Sequence, residues 1–201
     1  MEDPGRSIQG GTLTSQAPGV SVTDGVVELR PLTVIDAVEH WAGQDEELDR
    51  WLNGGPGSPT GTLNWLRRRE QYWRAGGPVF AFGIRDPRRK LLLGTVELRV
   101  GERYLEPGQA TISYGLYPQA RGRGSAVRAC RLGCIFAMRA LTDGPWAVRE
   151  VVAHIDPFNT GSLRVIERVG FRHVDSRVAA GAAWELFAMD LNRRLPTALA
   201  S

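Results

Sequence analysis

Lysine is almost absent from this chain. Of the 25 basic side chains in 201 residues, Lys90 is the only lysine. Arginine forks suit phosphate groups better than ammonium point charges do, although GC-rich coding gives the same bias. Cysteine is nearly as scarce. Cys130 and Cys134 lie four residues apart, which is neither a C-x-x-C redox pair nor a zinc-ligand spacing. They read as small buried apolar residues, so no disulfide framework and no metal is expected, and a reducing cytoplasm suits the chain. No apolar run approaches the roughly 20 residues of a membrane-spanning helix. The opening MEDPGRSIQGGTLTSQAPGV lacks the basic start and apolar middle of a signal peptide. Neither a membrane nor a nucleic acid is therefore an expected partner. The net charge of +3 favours an anionic ligand without demanding nucleic acid.

What is present describes one globular domain. With 42% hydrophobic and 23% charged residues, a chain of this length buries about 70% of its unfolded surface without staples. Residues 1–22, rich in Gly, Ser, Thr and Pro, read as a flexible tail, 23–194 as the domain and 195–201 as a frayed end. GVVELR (25–30) is a strand stopped by Pro31, after which Thr33 caps a helix through Val34, Val38 and Trp41 towards Leu48 and Trp51. NGGPGSPTGT (53–62) reads as an exposed loop, and LNWLRRREQYWRA (63–75) as the second helix. VFAFGIRD and LLLGTVELRV flank the turn-like DPRRK as a hairpin, and ATISYGLY (110–117) is the next strand. A helix with Val127, Cys130, Cys134, Met138 and Leu141 at helical spacing follows, then the strand VREVVAHID (148–156). Asn159 opens a short helix that Gly170 closes, and HVDSRVAA and AWELFAMDL end the domain as paired strands. This order predicts an α/β fold with a mixed sheet of about seven strands flanked by helices.

The stretch YPQARGRGSAVRA (117–129) carries the chemistry. A strand ending at Tyr117 and a helix beginning near Gly124 expose unpaired N–H groups at the positive end of a helix dipole. Gly122 and Gly124 allow a pyrophosphate close to the main chain, and Arg121 and Arg123 stand at the rim. The motif is not specific, because with 24 glycines Gly-x-Gly arises about three times by chance. It has no Gly-Lys-Ser/Thr of a Walker A loop and no G-x-G-x-x-G of a Rossmann fold. A phosphate cradle, an arginine-glycine RNA-binding segment and an ordinary strand-to-helix turn all fit it alone.

The second half supplies the context. Gln119, Gly122 and Gly124 match a Q/R-x-x-G-x-G/A loop, and Asn159, Ser162, Glu167, Gly170 and Phe171 match N-x-x-S…E-x-x-G-F. In this order and spacing they resemble the GCN5-related N-acetyltransferase (GNAT) superfamily. ELRPLTVIDA and IDPFNTGSLRVIERVGF look most like its RimJ/RimL-like branch of ribosomal-protein alanine acetyltransferases. The resemblance spans about 26–192. It implies an acyl-CoA N-acyltransferase fold: a central, mostly antiparallel twisted sheet splayed between the fourth and fifth strands, here ATISYGLY and VREVVAHI.

The resemblance also implies roles. Acetyl-CoA lies in the gap between those strands, the backbone of Leu116 and Tyr117 pairs with the pantetheine amides, and N–H groups from Arg121, Gly122, Arg123, Gly124, Ser125 and Ala126 hold the pyrophosphate. Asn159 contacts the pantetheine arm. Direct acyl transfer needs a deprotonated amine, a donor to the thioester oxygen and an acid for the thiolate. The family's usual tyrosine acid falls at Ile166, which leaves Ser162 as substitute, and the usual glutamate base falls at Thr111. Glu97, Glu185 and His154 are the remaining candidates for the base, as is a water relay. Trp41, Trp51, Trp65, Tyr72 and Trp73 concentrate where the family puts its acceptor wall, and helix packing explains them equally.

The expected function is acetyl transfer from acetyl-CoA to a primary amine, by a monomer or homodimer. The acceptor is a small molecule, such as an antibiotic or biosynthetic intermediate, or a protein N-terminus. The missing glutamate and tyrosine tilt the choice to the small molecule. They equally suit the alternative, a non-catalytic acyl-CoA-binding or sensor module.

Overall fold

The structure, a computed structural model, describes residues 19–53, 55, 57–179 and 182–192. The predicted tail and C-terminal end lie largely outside these. Eight strands form one sheet: β1 Val22–Thr23, β2 Glu28–Pro31, β3 Val79–Arg85, β4 Leu92–Val100, β5 Gln109–Leu116, β6 Glu150–Ile155, β7 Arg172–Ala179 and β8 Ala182–Asp190. The seven expected strands are present, and β1 adds a two-residue edge where Val22 pairs with Leu29. The spatial order is β1-β2-β3-β4-β5-β6-β8-β7. The last strand of the chain therefore lies inside β7. Only β5–β6 is parallel, as a connection through a crossover helix requires.

Period-two alternation assigns the two faces of the sheet. Phe80, Phe82, Ile84, Val96, Leu98 and Ile112 join the larger buried cluster with α4 (Ser125–Phe136) and α5 (Thr160–Val169). Ala81 and Leu92 join a smaller one with Leu32, Val34, Leu48, Leu66 and Tyr117, beneath α1 (Ala37–Ala42), α2 (Glu46–Leu48) and α3 (Pro59–Ala75). Cys130 and Cys134 of α4 are fully buried, and burial pushes the Cys134 thiol up to about 12. They behave as the small apolar residues expected of them.

Two local expectations are corrected. The helix predicted from Thr33 to Trp51 is broken into a 3-10 turn, α1, α2 and a π-turn at Asp49–Asn53. A Cβ at Gly43 would lie 2.5 Å from the Tyr117 ring, so the chain bends around that ring. Asp45 then restarts the helix by accepting from the Leu48 N–H at 3.1 Å. The loop predicted over 53–62 is shorter. Ser58 Oγ accepts from the Gly61 N–H at 3.0 Å, and Pro59 occupies the first helical turn, so α3 begins at Pro59 rather than Leu63. The hairpin turn at 86–90 is as read, closed by the Lys90 N–H donating to Asp86 O at 2.8 Å, with Lys90 in the left-handed region at φ 57°.

Where β4 meets β5, Gly94 pairs with Leu116 and Thr95 with Gly115. Gly94 has φ +154°, and a Cβ there would overlap the Gly115 carbonyl oxygen. No side-chain rotation relieves a clash with backbone. Gly94→Ala is therefore expected to cost about 2–4 kcal/mol of stability, read as a lowered urea midpoint at constant m-value. An unchanged midpoint would mean that the two backbones separate without penalty.

Candidate active site

β5 and β6 share three paired positions, Gln109 with Glu150, Ala110 with Val151 and Thr111 with Val152. Beyond Thr111 they part, while β5 stays paired with β4 to its end. The Tyr117 N–H donates to Leu93 O at 2.9 Å, towards β4. Backbone groups alternate sides along a strand, so those of Ser113 and Gly115 also face β4, and those of Ile112, Tyr114 and Leu116 face the gap. The gap opens into a cleft of about 380 Å³ lined by Leu116, Ala153, His154, Asn159, Ser162 and the glycine loop, among others.

The loop has the geometry of an anion cradle. Gly122 and Gly124 sit at φ 74° and 77°, a region that a residue with a Cβ adopts with strain, and nothing lies within 4 Å of a Cβ at either. Gly124 is the N-cap of the twelve-residue α4, so the N–H groups of the first turn point into the cleft mouth. Arg121 lines the cleft, and its charge is engaged by other groups. Its guanidinium bonds Asp45 at 2.7 and 2.8 Å, Glu47 at 2.8 Å and Leu116 O at 3.0 Å. Those bonds raise its own pKa and lower that of Asp45, tying α2 to the loop.

The other expected cofactor residues divide. Leu116, Gly122, Gly124, Ala126, Asn159 and Ser162 line the cleft. Ser125 is buried in the first turn of α4, and Gln119 and Arg123 are exposed beside the loop. Tyr117 is corrected: its N–H is spent on Leu93, and its side chain is 2% exposed, facing the other side of the sheet. Asn159 spends Oδ1 on capping α5, accepting from the Ser162 N–H at 3.0 Å.

A second cavity, of about 600 Å³, opens on the α3 face and is lined by His40, Trp41, Trp65, Glu97, Arg99 and Tyr117, among others. Leu48, Leu52, Ser113, Tyr114 and Gly115 line both cavities, so the two meet across the middle of β5. Gly115 makes the junction possible, since a Cβ there would lie 2.5 Å from both Leu48 and Leu52. Of the tryptophans predicted to wall the acceptor, Trp41 and Trp65 do line this cavity. Trp51 lines the other, and Trp73 is core, edge-on to Phe80, Phe82 and Phe136 with its N–H on Ala81 O. Register decides this, because Trp73 sits two turns beyond Trp65 at the end of α3.

The carboxylates offered as bases are held elsewhere. Glu97 Oε2 bonds Arg69 Nε at 2.7 Å and Oε1 bonds Arg99 Nε at 2.5 Å, so the carboxylate is held in a double ion pair. Glu185, on β8, lines neither cavity and bonds His173 and Ser176, each at 2.6 Å. His154 reaches the first cavity, edge-on to Tyr104. Thr111 is buried on β5, and Ile166, fully buried, fills the core of α5.

Sequence reading missed His40, Arg99 and Tyr114. His40 Nδ1 lies 2.6 Å from the Tyr117 hydroxyl, and the imidazole stacks on Trp65 at 5.1 Å between centroids. Arg69 covers the same indole at 4.5 Å from its guanidinium carbon. The Tyr114 hydroxyl donates to Ser162 O at 2.9 Å, and burial raises its pKa, so the phenol stays protonated. A tyrosine flanked by strand residues carries no sequence sign of which helix it reaches. Among the described residues no group of three or more His, Cys, Asp or Glu is placed to hold a metal ion, and no helix is long and apolar enough to cross a membrane.

An open sheet parted at its one parallel junction, with a helix N-terminus at the mouth, is the architecture of a protein that takes an extended ligand into its strand gap. The family model for the acetyltransferase (GNAT) domain matches residues 27–172, and the chain belongs to that family of acyltransferases. No curated protein matches the sequence. Among solved structures it is similar to RimJ of Mycobacterium smegmatis in complex with CoA-disulfide, at TM-score 0.70 and 22% identity over 90% of this chain and 92% of that one. Ribosomal-protein-S5-alanine acetyltransferase of Vibrio fischeri superposes at TM-score 0.69 and 19% identity, over 88% of this chain and 100% of that one. AAC(6')-Ib in complex with paromomycin and acetyl-CoA gives TM-score 0.69 and 16% identity, over 86% and 99%. All three likenesses are of fold.

Burial depresses His40 to about 4 from an ordinary 6.5. Between these values the unfolded chain binds the proton and the folded one does not, so stability falls as pH drops from about 6.5 towards 4. Urea midpoints measured across that range should slope more steeply for the wild type than for His40→Gln. Parallel profiles would show that the imidazole reaches solvent.

Proposed function

We propose that the protein transfers an acetyl group from acetyl-CoA to the primary amine of a small molecule. The observation that carries this reading is the meeting of two cavities across Ser113, Tyr114 and Gly115, one beside an anion cradle and one beside aromatic walls. The residues present fit the donor. The open space at Gly122 and Gly124 admits a pyrophosphate against the N–H groups of 122–126, and the gap-facing backbone of Ile112 and Tyr114 with the Leu116 N–H suits an amide-bearing arm added like a strand, the Leu116 carbonyl being taken by Arg121. Bound there, acetyl-CoA supplies a thioester-activated acyl group. The Leu116 N–H is the oxyanion donor, preorganised by the β4–β5 ladder. Ser162 relays a proton to the departing thiolate, giving up its hydroxyl proton and taking back, through water, the one lost by the attacking amine. Its turn of α5 is pinned from both sides, by Asn159 on its N–H and Tyr114 on its carbonyl. With no free carboxylate among the described walls of the acceptor cavity, deprotonation of the amine runs through water. Walls of Trp41, Trp65 and His40 suit a compact acceptor better than an acidic, open-ended peptide groove would.

Gly124→Asn fills the cradle with a side chain that tolerates the left-handed backbone. It should weaken CoA binding about tenfold or more by calorimetry, roughly 1.4 kcal/mol, with little change in Tm. Undiminished binding would remove the cradle from the account. Ser162→Ala should lower kcat about tenfold or more without loosening CoA, whereas Tyr114→Phe should act on kcat by freeing the same turn. If release of CoA thiol from acetyl-CoA with an amine and peptide panel is absent while CoA binds tightly, the protein is a binding module instead.

A further inference from the structure

The walls of the acceptor cavity present one exposed charged side chain, the guanidinium of Arg99. Among the described residues lining it, the ionisable side chains are His40, Glu97, Arg99, Tyr114 and Tyr117. His40 is neutral above about pH 4, and burial keeps both phenols protonated. Arg69, itself behind the wall, bonds both oxygens of Glu97, and Arg99 bonds one of them. Within the wall Glu97 and Arg99 balance in charge, but Glu97 is buried under its partners and Arg99 is the one that stays exposed. Glu102 and Tyr104 act on Arg99 electrostatically from outside the cavity and do not line it. The two positions of the nearby loop outside the described residues, 54 and 56, are Gly and Pro, which bring no charge.

Arg99 is where a charge is usable. Its Nε is spent on Glu97 at 2.5 Å, its side chain is 40% exposed, and no described group accepts from its two terminal nitrogens. Arg99 pairs across the sheet with Thr111, two residues along β5 from Ser113, on the same face. That sets its backbone about 7 Å from the junction where the two cavities meet. A guanidinium there presents a fork suited to a carboxylate.

From this geometry we infer that the acceptor is an amine that also carries an anionic group, a carboxylate foremost, which Arg99 holds while the amine reaches Ser113–Gly115. The inference rests on the acetyltransferase reading above. A polycationic amine finds no unpaired carboxylate among the described walls of this cavity and meets the exposed end of Arg99. Arg99 has a second effect. A cation beside an ammonium lowers its pKa and favours the free amine that attacks, which suits a site whose one wall carboxylate is already doubly paired.

The test measures acetyl-CoA-dependent thiol release with matched pairs: phenylalanine and phenethylamine, tryptophan and tryptamine, 4-aminobutyrate and butylamine, with spermidine and kanamycin as polycations. Binding of the same compounds to the CoA-saturated protein is followed by titration calorimetry. At least one carboxylated member should exceed its partner about tenfold or more in kcat/KM or affinity, and polycations should give neither release nor binding. Arg99→Gln should erase that ratio, while Arg99→Lys should keep part of it. Glu97 retains Arg69 in both variants, and CoA affinity reads whether the fold and donor site are intact. Preference for the uncharged or polycationic members, no discrimination at all, or a ratio unchanged in Arg99→Gln would overturn the inference. Loss of CoA binding by the wild type would instead overturn the donor reading on which it rests.

Discussion

Everything functional in this structure depends on two strands that stop pairing. β5 and β6 hold each other through Thr111 and Val152 and then diverge in the middle of a sheet, where an unmatched row of N–H and C=O groups is normally costly. The row is kept straight from its other side. β4 pairs with β5 up to Leu116, and Gly94 and Gly115 let the two backbones approach where a side chain would not fit. Because β5 and β6 are parallel, the chain between them must cross over through α4. The crossover places the N-terminus of α4 at the mouth of the gap, so an unpaired strand edge and an anion cradle are two results of one topological step.

The arginines do different work from that suggested by their abundance. Arg121 joins α2 to the loop after β5 through Asp45, Glu47 and Leu116 O. Arg128 reaches Asp24 beside the β1–β2 turn, at 2.8 Å. Arg69 spans from α3 to Glu97 on β4 and also covers Trp65. Arg121 and Arg69 each engage two or more groups at fixed angles, as an ammonium on a flexible stem does less well. All three act as cross-ties between elements distant in sequence.

How much of this was legible follows from the range of each interaction. The glycine loop could be read because positive φ at Gly122 and Gly124 and the cap at Asn159 are local requirements, met within a few residues. The β3–β4 hairpin and the strand that follows it could be read from alternation and turn residues. Trp73 could not be distinguished from Trp65, since two helical turns on α3 separate a core indole from one facing a cavity. Glu97 reads as an ordinary strand carboxylate until Arg69, 28 residues away, is brought onto it. The break at Gly43 was invisible because its cause, the Tyr117 ring, lies on β5's far end. Tyr114 and His40 were overlooked for the same reason: their partners, Ser162 and Tyr117, are assembled only by the finished sheet.

The near-absence of lysine acquires a chemical meaning from where Lys90 sits. It lies at the β3–β4 turn and lines neither of the two joined cavities. Thioesters acylate free amines without any catalyst, and guanidinium groups, protonated at any cellular pH, are poor targets. A protein that handles an acyl thioester beside so many arginines thus offers it one side-chain amine of its own, remote from the transfer site. Stray self-acylation of side-chain amines would fall on one surface turn and leave the catalytic apparatus untouched.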